Sequence, residues 1–147
     1  MSTNANQNYA NHRQLVPGYH YFLLLFSTLT LIGSFVNLGE SITHHEGLYS
    51  ASLISALALC VVVGALYMRN FAIKAQDRAI RSEENFRHYL LTGKPLDSRL
   101  KLGQIIALRF APDEELSALA AKAASEGTKN DEIKKLIKNW RGDYHRA

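Results

Sequence analysis

Two apolar runs, residues 19–39 and 48–68, contain no Lys, Arg, Asp or Glu, and only residues 40–47 separate them. Each run matches the roughly 20 residues that an α-helix needs to cross the hydrocarbon core of a bilayer. A backbone in lipid must satisfy its own hydrogen bonds, so both runs read as helices. An eight-residue link suffices for a turn and is too short for a domain. The chain is therefore expected to be all-α: a transmembrane hairpin (19–68, external turn 40–47) followed by a soluble helical half. Mean hydropathy over the whole chain, −0.12, conceals this division because it averages two greasy segments with a charged remainder.

At 147 residues there is room for one hairpin and one small domain. Cys60 is the single cysteine, which excludes an intrachain disulfide and a thiolate zinc site. The first run exceeds a signal-peptide core, and no small-x-small cleavage site precedes the second run. Orientation is read from Lys and Arg near the helix ends. The turn has neither and carries Glu40 and Glu46, whereas Arg69, Lys74, Arg78 and Arg81 follow the second run and Arg13 precedes the first. Both termini are thus expected on the cytoplasmic side of a bacterial inner membrane, in a multi-pass protein. Tyr19, Tyr21, Phe22, Tyr49 and Tyr67 suit the two membrane interfaces.

Residues 1–18 form a polar N-terminal cytoplasmic segment, with Pro17 placed to open the first helix. After Met68 the second helix is expected to continue through 69–92, free of Gly and Pro until Gly93-Lys94-Pro95. Asp77 with Arg81, and Glu83 with Arg87, are i,i+4 pairs there. A three-helix domain over 98–147 is expected next. Leu102, Ile105 and Ile106 mark a helix over 98–110. Pro112-Asp113-Glu114-Glu115 opens another that Gly127 closes, since acids favour a helix N-terminus and glycine a C-terminal cap. Ile133, Leu136, Ile137 and Trp140 recur at helical spacing over 129–144. Fifty residues make a small core, so this unit needs support from the 69–92 helix, the membrane surface or a second copy.

Candidate interaction residues fall in three groups. His20, Ser27, Thr30, Ser34 and Asn37 share one face of the first helix, a face expected to meet protein rather than lipid. Ser52, Ala56, Cys60 and Gly64 recur every four residues along the second, small side chains that let helices approach closely. Trp140 is expected to anchor the last helix against Ile105, Ile106 and Leu119. Lys134, Lys135 and Lys138 offer a basic surface to anionic headgroups. Nucleic acid ranks behind lipid because Asp131, Glu132 and Asp143 interrupt that surface. His44 and His45 in the turn have the chemistry of metal ligands but no ligand spacing, so no metal and no cofactor is expected. No nucleotide-binding, hydrolase or metalloprotease signature occurs, and no catalytic residue is assigned.

Asn8-Tyr9-Ala10-Asn11-His12-Arg13 near the start, Leu108-Arg109-Phe110-Ala111 with Asp113-Glu114-Glu115-Leu116, and Ile137-Lys138-Asn139-Trp140-Arg141 resemble the motifs of a family of small bacterial two-helix membrane proteins of unknown function. The resemblance spans nearly the whole chain and implies a membrane location, with no activity attached. It also implies that the terminal motifs meet, with His12 and Arg13 against the C-terminal helices. The function expected is that of a non-enzymatic membrane accessory or scaffold protein presenting its helical domain to a membrane-protein partner or a second copy. The rival is an oligomeric ion-handling or transport assembly with the polar stripe of the first helix lining a pore.

Overall fold

The computed structural model describes residues 7–12 and 15–144. Among them every regular element is helical: a π-helical turn (Gly18–Leu23), α1 (Leu24–His44), α2 (Leu48–Thr92), α3 (Leu102–Leu108), α4 (Asp113–Glu126) and α5 (Asn130–Leu136). Two compact units result, one of Leu15–Ala72 and one of Met1–Gln14 with Ile73–Ala147.

The Leu15–Ala72 unit is an antiparallel helical pair. Glu40 to His44 stay helical, so the link shrinks to His45-Glu46-Gly47, with His45 (φ 55°) and Gly47 (φ 62°) in the left-handed region that makes a tight reversal. Nothing between Glu40 and His44 breaks a helix, which is why α1 outruns the apolar pattern. The helices meet along small side chains. Ser27, Ser34, Ala51, Ser55, Ala58 and Ala65 are buried, and Leu31, Leu38 and Val62 are half-buried in the same rows. Spacings of alternately three and four residues hold a contact line along a packed helix pair.

The seam on α2 therefore differs from the four-residue stripe expected there. Ser52, Ala56 and Cys60 are exposed on the other side of the helix, and Gly64 is half-buried. The physical reason is angular. Steps of four residues drift by about 40° each around a helix, so such a stripe leaves the contact line within two turns, whereas seven-residue steps drift by only about 20°.

The second unit has a core of Leu108, Phe110, Leu116 and Ile133, all under 2 % exposed, joined by Leu100, Ile105, Ala120, Ala123 and Ile137. Gly93 (φ 71°) ends α2, its N–H donating to the Tyr89 carbonyl. Gly127 (φ 64°) ends α4 in the same left-handed way. Two elements are shorter than their periodicity suggests. α3 begins at Leu102 rather than near Ser98, because Gln104 Oε1 takes the Lys101 N–H at 2.7 Å and fixes the start of the helix. α5 stops at Leu136, and Ile137 (ψ 120°) turns the chain extended. The Glu115 carboxylate accepts the backbone N–H groups of Lys138 and Asn139 at 3.0 and 3.1 Å, and the Phe110 carbonyl accepts that of Arg141 at 2.8 Å. These bonds replace the helical ones the segment gives up, so Trp140 does not lie on a helix face.

Candidate functional site

The C-terminal half of α2 is tied to its own domain by charge. Ile80 and Glu84 face inward and are buried. Arg87 bonds Glu84 Oε2 (2.9 Å), Asp113 Oδ1 (2.7 Å from Nε) and the Ala111 carbonyl (2.8 Å), and Arg141 Nη1 lies 3.7 Å from Glu84 Oε1. A carboxylate with 7 % side-chain exposure is tolerable only because two guanidinium groups face it. The Glu83–Arg87 pair expected from spacing does not form, because Arg87 is fully used elsewhere. This α2 segment supplies the support that a fifty-residue domain needs.

The N-terminal motif lies on the same domain. The Gln7 side-chain amide pairs with the Asp143 backbone like a neighbouring strand, its Oε1 accepting the N–H at 2.8 Å and its Nε2 donating to the carbonyl at 3.2 Å. Asp143 in turn holds Arg109 Nε at 3.0 Å, with the guanidinium 4.5 Å from the Phe110 ring centroid. Asn8 Oδ1 accepts the N–H groups of Ala10 and Asn11, shaping a turn that presents His12. His12 Nδ1 lies 2.7 Å from the Tyr9 carbonyl, which can only accept, so Nδ1 carries the proton and Nε2 accepts from Lys134 Nζ at 3.2 Å. Its ring sits 5.8 Å from Trp140 and 5.9 Å from Phe110, which themselves lie 4.9 Å apart. Lys135 covers the Tyr9 ring at 5.4 Å. The terminal motifs thus meet in one aromatic and cationic cluster.

The remaining candidates are dispersed. Arg13 lies outside the described residues. Trp140 is half-buried and packs against the core cluster that includes Ile105, with Phe110 and His12 as its ring neighbours. Lys138 is exposed and contributes its backbone N–H to Glu115. In the helical pair the Ser27 and Ser34 hydroxyls bond the carbonyls three residues earlier, while Thr30 and Asn37 are exposed beside the seam. Ser55 Oγ donates across the pair to the Ser34 carbonyl at 3.0 Å, and Tyr19 to the Ala65 carbonyl at 2.6 Å. His20 Nδ1 stays local, 3.0 Å from both Val16 N and O. Among the described residues no three His, Cys, Asp or Glu side chains converge.

The C-terminal domain also has a shallow cleft of about 360 Å³ beside Arg78, Arg81, Asn85, Asp97 and Ser98. Asp97 there binds Arg99 through both carboxylate oxygens (3.0 and 2.7 Å), and this hydrogen bonding lowers its pKa from 3.8 to about 2.

Residues 1–147 match the model of a family of unknown function, DUF6526. The chain belongs to that family. No curated protein and no solved structure matches it. The family assignment carries no activity, so the site stands on its geometry. Several residues that build it were not singled out by sequence. Glu84 and Gln104 look like ordinary solvated polar residues, yet Gln104 is 5 % exposed and bonds the Ala123 and Thr128 carbonyls, and Glu115, read as a helix-opening acid, also holds the Lys138 and Asn139 N–H groups.

Proposed function

We propose that the protein is a non-enzymatic membrane scaffold. The helical pair inserts into a bacterial inner membrane with the His45–Gly47 turn outside, and the C-terminal domain is presented to a protein partner in the cytoplasm. One observation carries this reading. The helical pair buries alanine and serine while leaving Phe26, Leu29, Ile32, Phe35, Ile54 and Leu57 half or more exposed. Both helices are long and apolar enough to cross a membrane. A pair in water would gain about 25 cal/mol per Å² by turning such side chains inward, whereas in lipid they need no cover. Lys and Arg on the far side of both helices support the orientation. A pore is less well supported, since the hydroxyls of Ser27 and Ser34 are already bonded inside the pair.

The test is labelling from outside intact cells. In a Cys60→Ala background, Glu46→Cys should react with a membrane-impermeant maleimide and Ser98→Cys only after permeabilisation. The opposite pattern would reverse the topology, and release of the protein by an alkaline wash of the membranes would end the membrane reading.

A further inference from the structure

The segment of α2 within the C-terminal unit has two faces. One, with Ile80, Glu84 and Arg87, is covered by the domain. Roughly opposite lie Ala75, Ala79, Ser82, Phe86 and Tyr89, spaced four, three, four and three, and all exposed. Phe86 is 61 % and Tyr89 52 % exposed, with Leu90 beside them at 68 %. Alternating steps of three and four make the core row of a two-stranded coiled coil, with Ala79 and Phe86 at a positions and Ala75, Ser82 and Tyr89 at d. Small residues at one end and aromatic ones at the other leave a helix-wide strip of domain surface without cover.

The flanking charges indicate what fits it. In this register Arg78 is at g and Glu83 at e of the following heptad. The pair most often formed between parallel strands is g to the e′ five residues later, which is the separation of Arg78 and Glu83. Among the described residues neither side chain makes an ion pair: Asp77 does not reach Arg78, and Arg87 has turned from Glu83 to Glu84 and Asp113. An antiparallel copy would instead set g beside g′ and e beside e′, so Arg78 would not meet Glu83 across it.

We propose that this face binds the same face of a second copy of the chain, parallel and in register, with Arg78 of each copy paired to Glu83 of the other. The pairing takes one element from the scaffold reading: two hairpins inserted the same way send their α2 helices in the same direction. The exposed aromatic row supplies attraction and the two symmetric ion pairs fix register and direction.

Disulfide trapping in native membranes tests this, on the full chain with Cys60→Ala. A d position lies within disulfide reach of its own copy in a parallel dimer. Ser82→Cys and Ala75→Cys should each give a homotypic cross-linked dimer on mild oxidation, and Arg81→Cys, outside the row, should not. Arg78→Glu and Glu83→Arg should each cut the Ser82→Cys yield, and should weaken the dimer in mild detergent on the order of tenfold. Combining the two should restore it. Cross-linking at Ser82→Cys without Ala75→Cys would mean an antiparallel pair and overturn the proposal. So would yields at both positions no higher than at Arg81→Cys, or a double swap that fails to recover. Retention of each variant in alkali-washed membranes is scored separately, so loss of insertion is not mistaken for loss of pairing.

Discussion

In the helical pair the buried residues are Ser27, Ser34, Ala51, Ser55, Ala58 and Ala65, whereas in the C-terminal unit the largest fully buried side chains are Phe110, Leu108, Leu116 and Ile133. Both units are helical, yet they follow opposite rules. In the C-terminal unit large apolar groups leave water, and the polar groups they take inward are answered one by one: Glu84 by two arginines, and Gln104 by three backbone groups. In the pair, close backbone approach and short hydroxyl bonds hold the helices, and the large side chains face out. That is the order expected where the surroundings are as apolar as leucine. The same residue type should therefore matter in one unit and not in the other.

Phenylalanine gives the sharpest contrast. Phe110→Ala empties the centre of the C-terminal core and should cost about 3–5 kcal/mol, a large share of the stability of so small a unit. Residues 73–147 should then become sensitive to protease while the helical pair keeps its fold. Phe26→Ala, at a position 56 % exposed in the pair, should leave thermal stability in detergent near wild type. Equal losses from both substitutions would show that the pair buries its large side chains after all.

Alanine should behave the other way round. Ala58→Leu forces a large side chain into the helical seam and should destabilise the pair by about 1–3 kcal/mol. Ala56→Leu, exposed two residues away, should cost far less in detergent. Thermal unfolding of the two variants side by side decides between the three-four seam and a four-residue stripe, because the stripe predicts the reverse order.

A smaller effect belongs to Glu115. Its carboxylate takes the N–H groups of Lys138 and Asn139, and Glu115→Ala returns both to water at a cost of about 1 kcal/mol. Hydrogen exchange should accelerate at those two amides well before it changes at Leu116. If α5 lengthens toward Trp140 instead, the carboxylate was competing with the helix, and circular dichroism would register the gain.

What the sequence made legible follows from the range of the interactions involved. The all-helical character, the two long apolar helices and the glycine caps at Gly93 and Gly127 depend on residues within a turn or two of each other, and periodicity reports them. The start of α3, the end of α5 and the neighbours of Trp140 depend on Gln104, Glu115 and His12, the last more than a hundred residues away in the chain. Polar side chains that organise distant backbone have no periodic signature. The seam on α2 failed for a different reason: Ser52, Ala56, Cys60 and Gly64 form a real pattern of small residues, but its period does not match a line of contact. Of the candidate site, the meeting of the terminal motifs came only from resemblance, and the linkage of buried Glu84 through Arg87 to the exposed Asp113 from nothing local.

The weakest effect should come from Asp97, and its sign is fixed. Hydrogen bonds from Arg99, first from its guanidinium and then from its backbone N–H, lower the carboxyl from 3.8 to about 2. A group whose pKa falls on folding adds stability above its unfolded value and loses that contribution as the pH drops through its folded value. The Asp97 contribution should thus be complete above about pH 4 and fade between there and pH 2. Both partners face water, so the change in unfolding midpoint should be slight. Direct titration is the better measure. The Asp97 carboxyl carbon, followed by NMR, should titrate near 2, and Arg99→Gln should raise the midpoint toward 3.8. An Asp97 midpoint that stays near 2 in Arg99→Gln would trace the shift to the surrounding backbone rather than to the guanidinium.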